Sequence, residues 1–185
     1  MAHFMQNESS HMKIISVVGR KNSGKTTLIE RMIPLFRAQG LAVAVIKHDA
    51  HDFSIDQKGK DTWRFRQAGA DEVVIASSSQ VAHMRRLEAP IEVADILSRL
   101  ESPDLVILEG YKRLGFPKLV VLRDAAELAD MGLERESTVI GFVLRRTPNA
   151  NPPDSRVPRF WADEVDRIAG FVLDKLGAAA VGRRS

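Results

Sequence analysis

Short apolar runs alternate along the chain with longer stretches in which apolar residues recur every three or four positions. The runs have the length of β-strands, and the longer stretches have the period of amphipathic helices. This alternation predicts an α/β fold with a mostly parallel central sheet and helices on both faces. The candidate strands are Ile14–Val18, Ala42–Ile46, Val73–Ala76, Leu105–Leu108, Leu119–Leu122 and Val139–Val143.

Two helices are predicted most clearly by their apolar stripes. The first follows the first strand and ends near Gly40; its stripe is Leu28, Ile29, Met32, Ile33 and Phe36. The second closes the chain before Gly177; its stripe is Val165, Ile168, Ala169, Val172, Leu173 and Leu176. Glycine commonly ends a helix because it adopts the left-handed conformation without a steric penalty.

Two segments do not fit the alternation: Asp49–Gly69 is rich in charge, and Thr147–Pro158 contains four prolines. We interpret both as functional or connecting loops, the first of which passes into a short helix near Asp61–Gln67.

The chain has 185 residues, 44% of them hydrophobic, which fits one compact domain. We expect residues 12–177 to form a single domain and residues 178–185 to be a flexible tail. The run Ser9-Ser10-His11-Met12 resembles a cloning scar, so residues 1–11 are interpreted as a tag or cloning remnant.

Composition excludes several classes of function. The net charge is +3, and no block of five or six like charges is present, so we expect no nucleic-acid partner. No apolar stretch approaches the roughly 20 residues that span a bilayer, so we expect no membrane partner and a cytoplasmic protein. The absence of cysteine excludes disulfides, thiolate metal sites and cysteine nucleophiles.

A phosphate-binding motif lies directly between the first strand and the first helix. It reads Gly19-Arg20-Lys21-Asn22-Ser23-Gly24-Lys25-Thr26, and Thr27 follows it. In a P-loop of this pattern, backbone amides and the helix N-terminus surround phosphate oxygens. Lys25 then reaches the outer phosphates, and the Thr26 hydroxyl can ligate Mg²⁺. The sequence therefore predicts a P-loop NTPase domain.

An acidic residue, Glu109, follows the apolar run Leu105–Leu108. Ligands bind at the carboxyl ends of strands in open parallel sheets, so Glu109 is a candidate for Mg²⁺ coordination or its water shell. The alternative is an ordinary solvated acid.

A third polar segment leaves the strand Ala42–Ile46 and reads Lys47-His48-Asp49-Ala50-His51-Asp52. We expect it beside the phosphate loop, where it could sense the γ-phosphate or Mg²⁺. Three interpretations stay open: a phosphate or partner loop, a merely solvated loop, and a transition-metal site at His48 and His51. The P-loop also leaves the reaction open, since an ATP-dependent small-molecule kinase or ligase would use the same motif.

Taken together, the motifs resemble the molybdopterin-guanine dinucleotide biosynthesis protein B (MobB) family. The matching segments, in order, are Gly19–Thr27, Ile46-Lys47-His48 with His51, Asp56 with Gly59-Lys60-Asp61, Ala68-Gly69-Ala70, and Leu108-Glu109-Gly110-Tyr111-Lys112. The order of these segments is more specific than the phosphate loop alone, and the resemblance runs from Lys13 to about Leu176.

The resemblance implies a homodimer that binds GTP and Mg²⁺, hydrolyses GTP weakly and assists the molybdenum cofactor guanylyltransferase. It implies nucleotide contacts from Gly19–Thr27, Lys47 and His48, with Mg²⁺ held by Thr26 and Glu109 and catalysis by Lys25 and Glu109. The Asn-Lys-x-Asp guanine signature is missing, so the guanine preference rests on the resemblance alone. Asn149 and Asn151 are candidates for base recognition or for a simple turn.

Overall fold

A computed structural model describes residues 12–49, 55–133, 136–146 and 156–178. In chain order the elements are β1 (Lys13–Val18), α1 (Lys25–Ala38), β2 (Val43–Lys47), α2 (Asp61–Gln67), β3 (Glu72–Ala76), β4 (Val81–Arg85), α3 (Val93–Leu97), β5 (Leu105–Glu109), β6 (Lys118–Leu122), α4 (Ala126–Met131), β7 (Val139–Leu144), β8 (Arg159–Trp161) and α5 (Val165–Leu176). They form two compact units. Of the described residues, those up to 48 and from 101 onward make the sheet unit, and those between 49 and 100 make the hairpin unit.

The sheet unit contains six strands in the order β2-β5-β1-β6-β7-β8, and every neighbouring pair is parallel. The predicted parallel α/β fold is confirmed. All carboxyl ends of the strands therefore meet at one edge of the sheet. The loop after β1 leaves from the middle of that edge, with β5 on one side and β6 on the other.

Residues of the central strands alternate between two apolar clusters, because successive side chains point to opposite faces of a sheet. Ile15 and Val17 belong to the cluster that α1 and α5 cover. Val18 belongs to the cluster that includes Leu128 of α4. Helices on both faces are thus confirmed.

The hairpin unit consists of α2, the antiparallel pair β3–β4 and α3. Val73–Ala76 is a strand, as predicted, but the expectation that it joins the parallel sheet is wrong. Ser77 donates its backbone N–H to the Gln80 carbonyl at 2.8 Å and closes a tight turn into β4. Such a short connection can join only antiparallel strands.

The predicted helices α1, α2 and α5 are confirmed, and Gly177 ends α5 in the left-handed conformation. The shorter α3 and α4 were not predicted. No helix of the described residues is long and apolar enough to cross a membrane. The predicted tag and residues 179–185 of the predicted tail lie outside the described residues, and the domain boundaries stay predictions.

Candidate nucleotide-binding site

The loop after β1 depends on glycine at two positions. A Cβ atom on Gly19 would lie 2.4 Å from the Val121 carbonyl oxygen and 2.7 Å from Ser23 Oγ, so no larger residue fits. Gly24, directly before α1, has a φ of 103°, a conformation that L side chains rarely adopt. Ser23 is fully buried and occupies the space that Gly19 leaves open. Local sequence thus determines the curvature of the loop.

Lys25 folds back over this loop. Its Nζ donates to the Gly19 carbonyl at 3.1 Å and to the Arg20 carbonyl at 2.7 Å. Burial lowers the pKa of Lys25, Glu109 opposes that shift, and Lys47 adds to it. The ammonium group is therefore held at the mouth of the loop by neutral acceptors, which an anion can replace.

Thr26 and Glu109 meet across the edge of the sheet, as predicted. Thr26 Oγ1 donates to Glu109 Oε1 at 3.0 Å, and the Glu109 side chain is only 10% exposed. A hydroxyl and a carboxylate are hard oxygen ligands, and Mg²⁺ is usually bound by one or two such groups together with phosphates and water. The pair fits Mg²⁺ in the presence of a nucleotide. In the described parts of the chain, no group of three His, Asp or Glu residues could hold a metal ion by itself.

Lys47 joins the same carboxylate from β2. Its Nζ lies 3.4 Å from Glu109 Oε1, because Lys47 and Glu109 are register partners on neighbouring strands. β2 is not the direct neighbour of β1, since β5 lies between them. The segment after β2 nevertheless begins close to the phosphate loop, because Lys47 is near enough to Lys25 to lower the pKa of its ammonium group. Lys47 reaches the site through Glu109.

His48 continues from Lys47 and contacts Tyr111. Its backbone N–H donates to the Glu109 carbonyl at 3.0 Å, and the two rings have centroids 4.9 Å apart. His51 lies outside the described residues, so the transition-metal interpretation is not tested. Asn149 and Asn151 lie outside them as well.

Tyr111 is the residue that reasoning from chemistry alone overlooked. It has a φ of 54° directly after Gly110 at 97°, and a left-handed conformation is uncommon for a residue other than glycine. Burial raises the pKa of its hydroxyl. Two signals were available: the position of Gly110 and Tyr111 directly after a strand that carries a site carboxylate, and the family resemblance of the segment Leu108–Lys112.

The family model described as Molybdopterin guanine dinucleotide synthesis protein B matches residues 14–145. The chain belongs to this MobB family. The molybdopterin-guanine dinucleotide biosynthesis adapter protein of Escherichia coli is 30% identical over 165 residues, which cover 87% of this chain and 91% of that protein. The Haemophilus influenzae adapter protein is 34% identical over 122 residues, covering 65% and 67%.

Solved MobB structures have the same fold. Bacillus subtilis MobB superposes with a TM-score of 0.69 at 30% identity, covering 89% of this chain and 98% of that one. A second MobB crystal structure gives a TM-score of 0.67 at 36% identity, covering 88% and 99%. The resemblance read from the sequence is confirmed.

The remaining residues predicted to contact the nucleotide lie on the phosphate loop and the first turn of α1. The Arg20 guanidinium pairs with Asp130 of α4 at 2.6 Å, so its charge is engaged beside the loop. Lys21, Asn22 and Thr27 are exposed on the loop and on the first turn of α1. The role of these three side chains in binding stays a prediction.

Proposed function

We propose that this chain is a GTP-binding adaptor in molybdenum cofactor biosynthesis, a cytoplasmic homodimer that assists the guanylyltransferase attaching GMP to molybdopterin. Membership of the MobB family supports the adaptor role, since its relatives carry that name. The observation that carries the nucleotide site is the hydrogen bond between Thr26 and Glu109 beside a complete P-loop. Neither residue type alone would distinguish this loop from a glycine-rich turn.

In this proposal, the amides around Gly19 and Gly24 and the N-terminus of α1 bind the phosphate chain. Lys25 exchanges the two carbonyl acceptors for oxygens of the outer phosphates. Thr26 and Glu109 hold Mg²⁺, which when bound neutralises charge on the phosphates. The burial that lowers the pKa of Lys25 also strengthens its attraction to an anion.

Weak hydrolysis follows from the way Glu109 is engaged. Thr26 Oγ1 and Lys47 Nζ both contact its Oε1, and in this proposal the carboxylate holds Mg²⁺, so it does not serve as a general base. Catalysis then rests on Lys25 and on the metal held by Glu109, which stabilise charge without activating water. GTPases that lack a well-placed water-orienting group turn over slowly.

The hairpin unit supports the homodimer. Val74, Ile75 and Val81 are 60%, 53% and 71% exposed, and Phe65 of α2 is 58% exposed. Within the described residues, β3 and β4 pair only with each other, so each leaves an outer edge unpaired. A second copy can pair with such an edge around a twofold axis and cover the apolar side chains.

The segment that begins at Lys47 gives the adaptor its proposed switch. Lys47 and His48 both contact Glu109, and the chain passes from His48 into the hairpin unit. Nucleotide and Mg²⁺ bound at Glu109 would therefore change how well ordered the segment 47–61 is. This change would alter the surface offered to the guanylyltransferase.

The test is calorimetric titration of the intact chain with GTP, GDP and ATP in the presence of Mg²⁺, combined with capture of the guanylyltransferase. We expect GTP to bind at least about tenfold more tightly than ATP, a difference of roughly 1.4 kcal/mol. We also expect slow hydrolysis and stronger capture of the guanylyltransferase with GTP than without it. Equal affinities, with turnover at about 1 to 100 per second once an acceptor is added, would instead identify an ATP-dependent kinase.

A further inference from the structure

Two arginines near the carboxyl edge of the sheet have their charge satisfied within the protein. The Arg123 guanidinium bonds to Glu127 through Nε at 2.6 Å. The Arg146 guanidinium bonds to both carboxylate oxygens of Asp163, at 3.0 and 3.1 Å, and lies 4.9 Å from the Trp161 ring centroid. Their packing explains both residues without a ligand.

Arg145, directly before Arg146, is different. It follows the end of β7, its backbone N–H donates to the Leu122 carbonyl, and its side chain is exposed. Within residues 12–49, 55–133, 136–146 and 156–178, its guanidinium has no hydrogen-bond or ion-pair partner. Its Cδ lies 4.0 Å from the position that a Cβ on Gly24 would occupy, so the side chain lies against the start of α1.

The sheet order gives the direction in which a nucleotide would lie across this edge. The proposed Mg²⁺ ligands Thr26 and Glu109, with Lys47 beside them, lie on the β5 and β2 side of the loop. Mg²⁺ held there would neutralise charge on the outer phosphates of a nucleoside triphosphate. Arg145 follows β7, two strands away from β1 on the opposite side. The nucleoside end of the phosphate chain must therefore face Arg145.

We propose that Arg145 binds the innermost phosphate of the nucleotide, from the side opposite to Lys47 and Glu109. The proposal rests on the nucleotide binding proposed above and adds a residue to it. A guanidinium without an internal partner can form a charge-assisted, two-pronged contact with phosphate oxygens. Because this phosphate is present before and after hydrolysis, Arg145 holds GTP and GDP equally, whereas Lys25 and Thr26 distinguish them.

The test is titration of Arg145→Ala with GTP and GDP, with Arg146→Ala as the matched control. Both substitutions remove one positive charge from neighbouring positions, but Arg146 is engaged by Asp163. We expect Arg145→Ala to raise the dissociation constants of both GTP and GDP by about tenfold. Arg146→Ala should change neither dissociation constant by more than about twofold. Arg145→Lys should retain most of the affinity, since an ammonium also binds phosphate. Circular dichroism verifies that each variant is folded.

Several results would overturn the assignment. Unchanged nucleotide affinity in Arg145→Ala would show that Arg145 does not contact the nucleotide. An equal loss of affinity in both alanine variants would show that Arg145 acts only through the positive charge of this region. A loss confined to GTP would mean that Arg145 contacts an outer phosphate. A loss that lysine does not restore would indicate stacking on the base. If the unmodified chain binds neither nucleotide, the proposed function itself fails, which is a separate result.

Discussion

The sheet unit and the hairpin unit are built from similar residue types but bury them very differently. Every residue of β5 and β6 is buried, whereas Val73 is the one buried residue of β3 and β4 has none. Helix α1 buries four side chains, and α2 buries none. The sheet unit therefore has a core that can hold site residues in place. The hairpin unit presents apolar surface, which is the property expected of a region that binds other chains.

The largest expected effect compares one substitution in the two units. Ile107→Ala removes a fully buried side chain from β5 and should lower the free energy of unfolding by about 2 to 5 kcal/mol. Ile55→Ala removes a side chain that is 70% exposed and should change that free energy by no more than about 0.5 kcal/mol. Urea unfolding at one protein concentration measures both. Similar losses would show that the hairpin unit has a core of comparable strength.

The second prediction concerns the site that the sheet unit holds. Lys25→Ala should weaken GTP binding by about a hundredfold or more, since it removes the charge at the outer phosphates while leaving the core intact. Titration of GTP with Mg²⁺ measures this loss. Lys175→Ala, which removes an exposed charge from α5, is the control and should bind normally. Normal GTP affinity in Lys25→Ala would refute the assignment of the phosphate loop.

The third prediction tests the hairpin unit. Val81→Asp places a charge on the single valine of β4, which is 71% exposed, and should raise the dissociation constant of the dimer by about tenfold or more. Ser79→Asp adds the same charge in the turn without removing an apolar contact, and should leave the dimer intact. Sedimentation equilibrium separates the two outcomes. A chain that is monomeric before any substitution would contradict the proposed homodimer.

The smallest effect on nucleotide affinity is expected at His48. His48→Ala should leave GTP affinity within about threefold, because the phosphate loop carries most of the binding. It should nevertheless reduce GTP-dependent capture of the guanylyltransferase and the GTP-dependent protection of residues 55–61 from amide exchange. Tyr111→Phe preserves the ring that His48 contacts and serves as the control. Complete loss of GTP binding in His48→Ala, with capture intact, would mean that His48 contacts the nucleotide directly.

Sequence reasoning succeeded where the determining interactions are local. The stripe of α1, the stop at Gly177 and the strand-loop-helix context of Lys25 are all encoded within a few residues. The pairing of Thr26 with Glu109 was also predictable, because both follow strands of one parallel sheet.

What could not be predicted either depends on residues far apart in the chain or has no marker in the local sequence. β5 lies between β2 and β1, and hydrophobic periodicity does not predict this strand order. The same order is the reason that Lys47 reaches Glu109. The pairing of β3 with β4 was missed because the mixed sequence of Val81–Arg85 lacks a strand signal. The left-handed conformation of Tyr111 has no compositional marker.

Thr26 and Lys47 share a single oxygen, Glu109 Oε1. A metal ion bound at this oxygen would therefore compete with the Lys47 ammonium group. A divalent ion held at this oxygen would repel the ammonium already beside it, because like charges at such short distances repel each other. Lys47, more than half exposed, can turn outward into solvent. Binding of the metal would then release the Lys47 amine from Glu109. A lysine-selective acylating reagent should therefore label Lys47 faster once nucleotide and Mg²⁺ are bound.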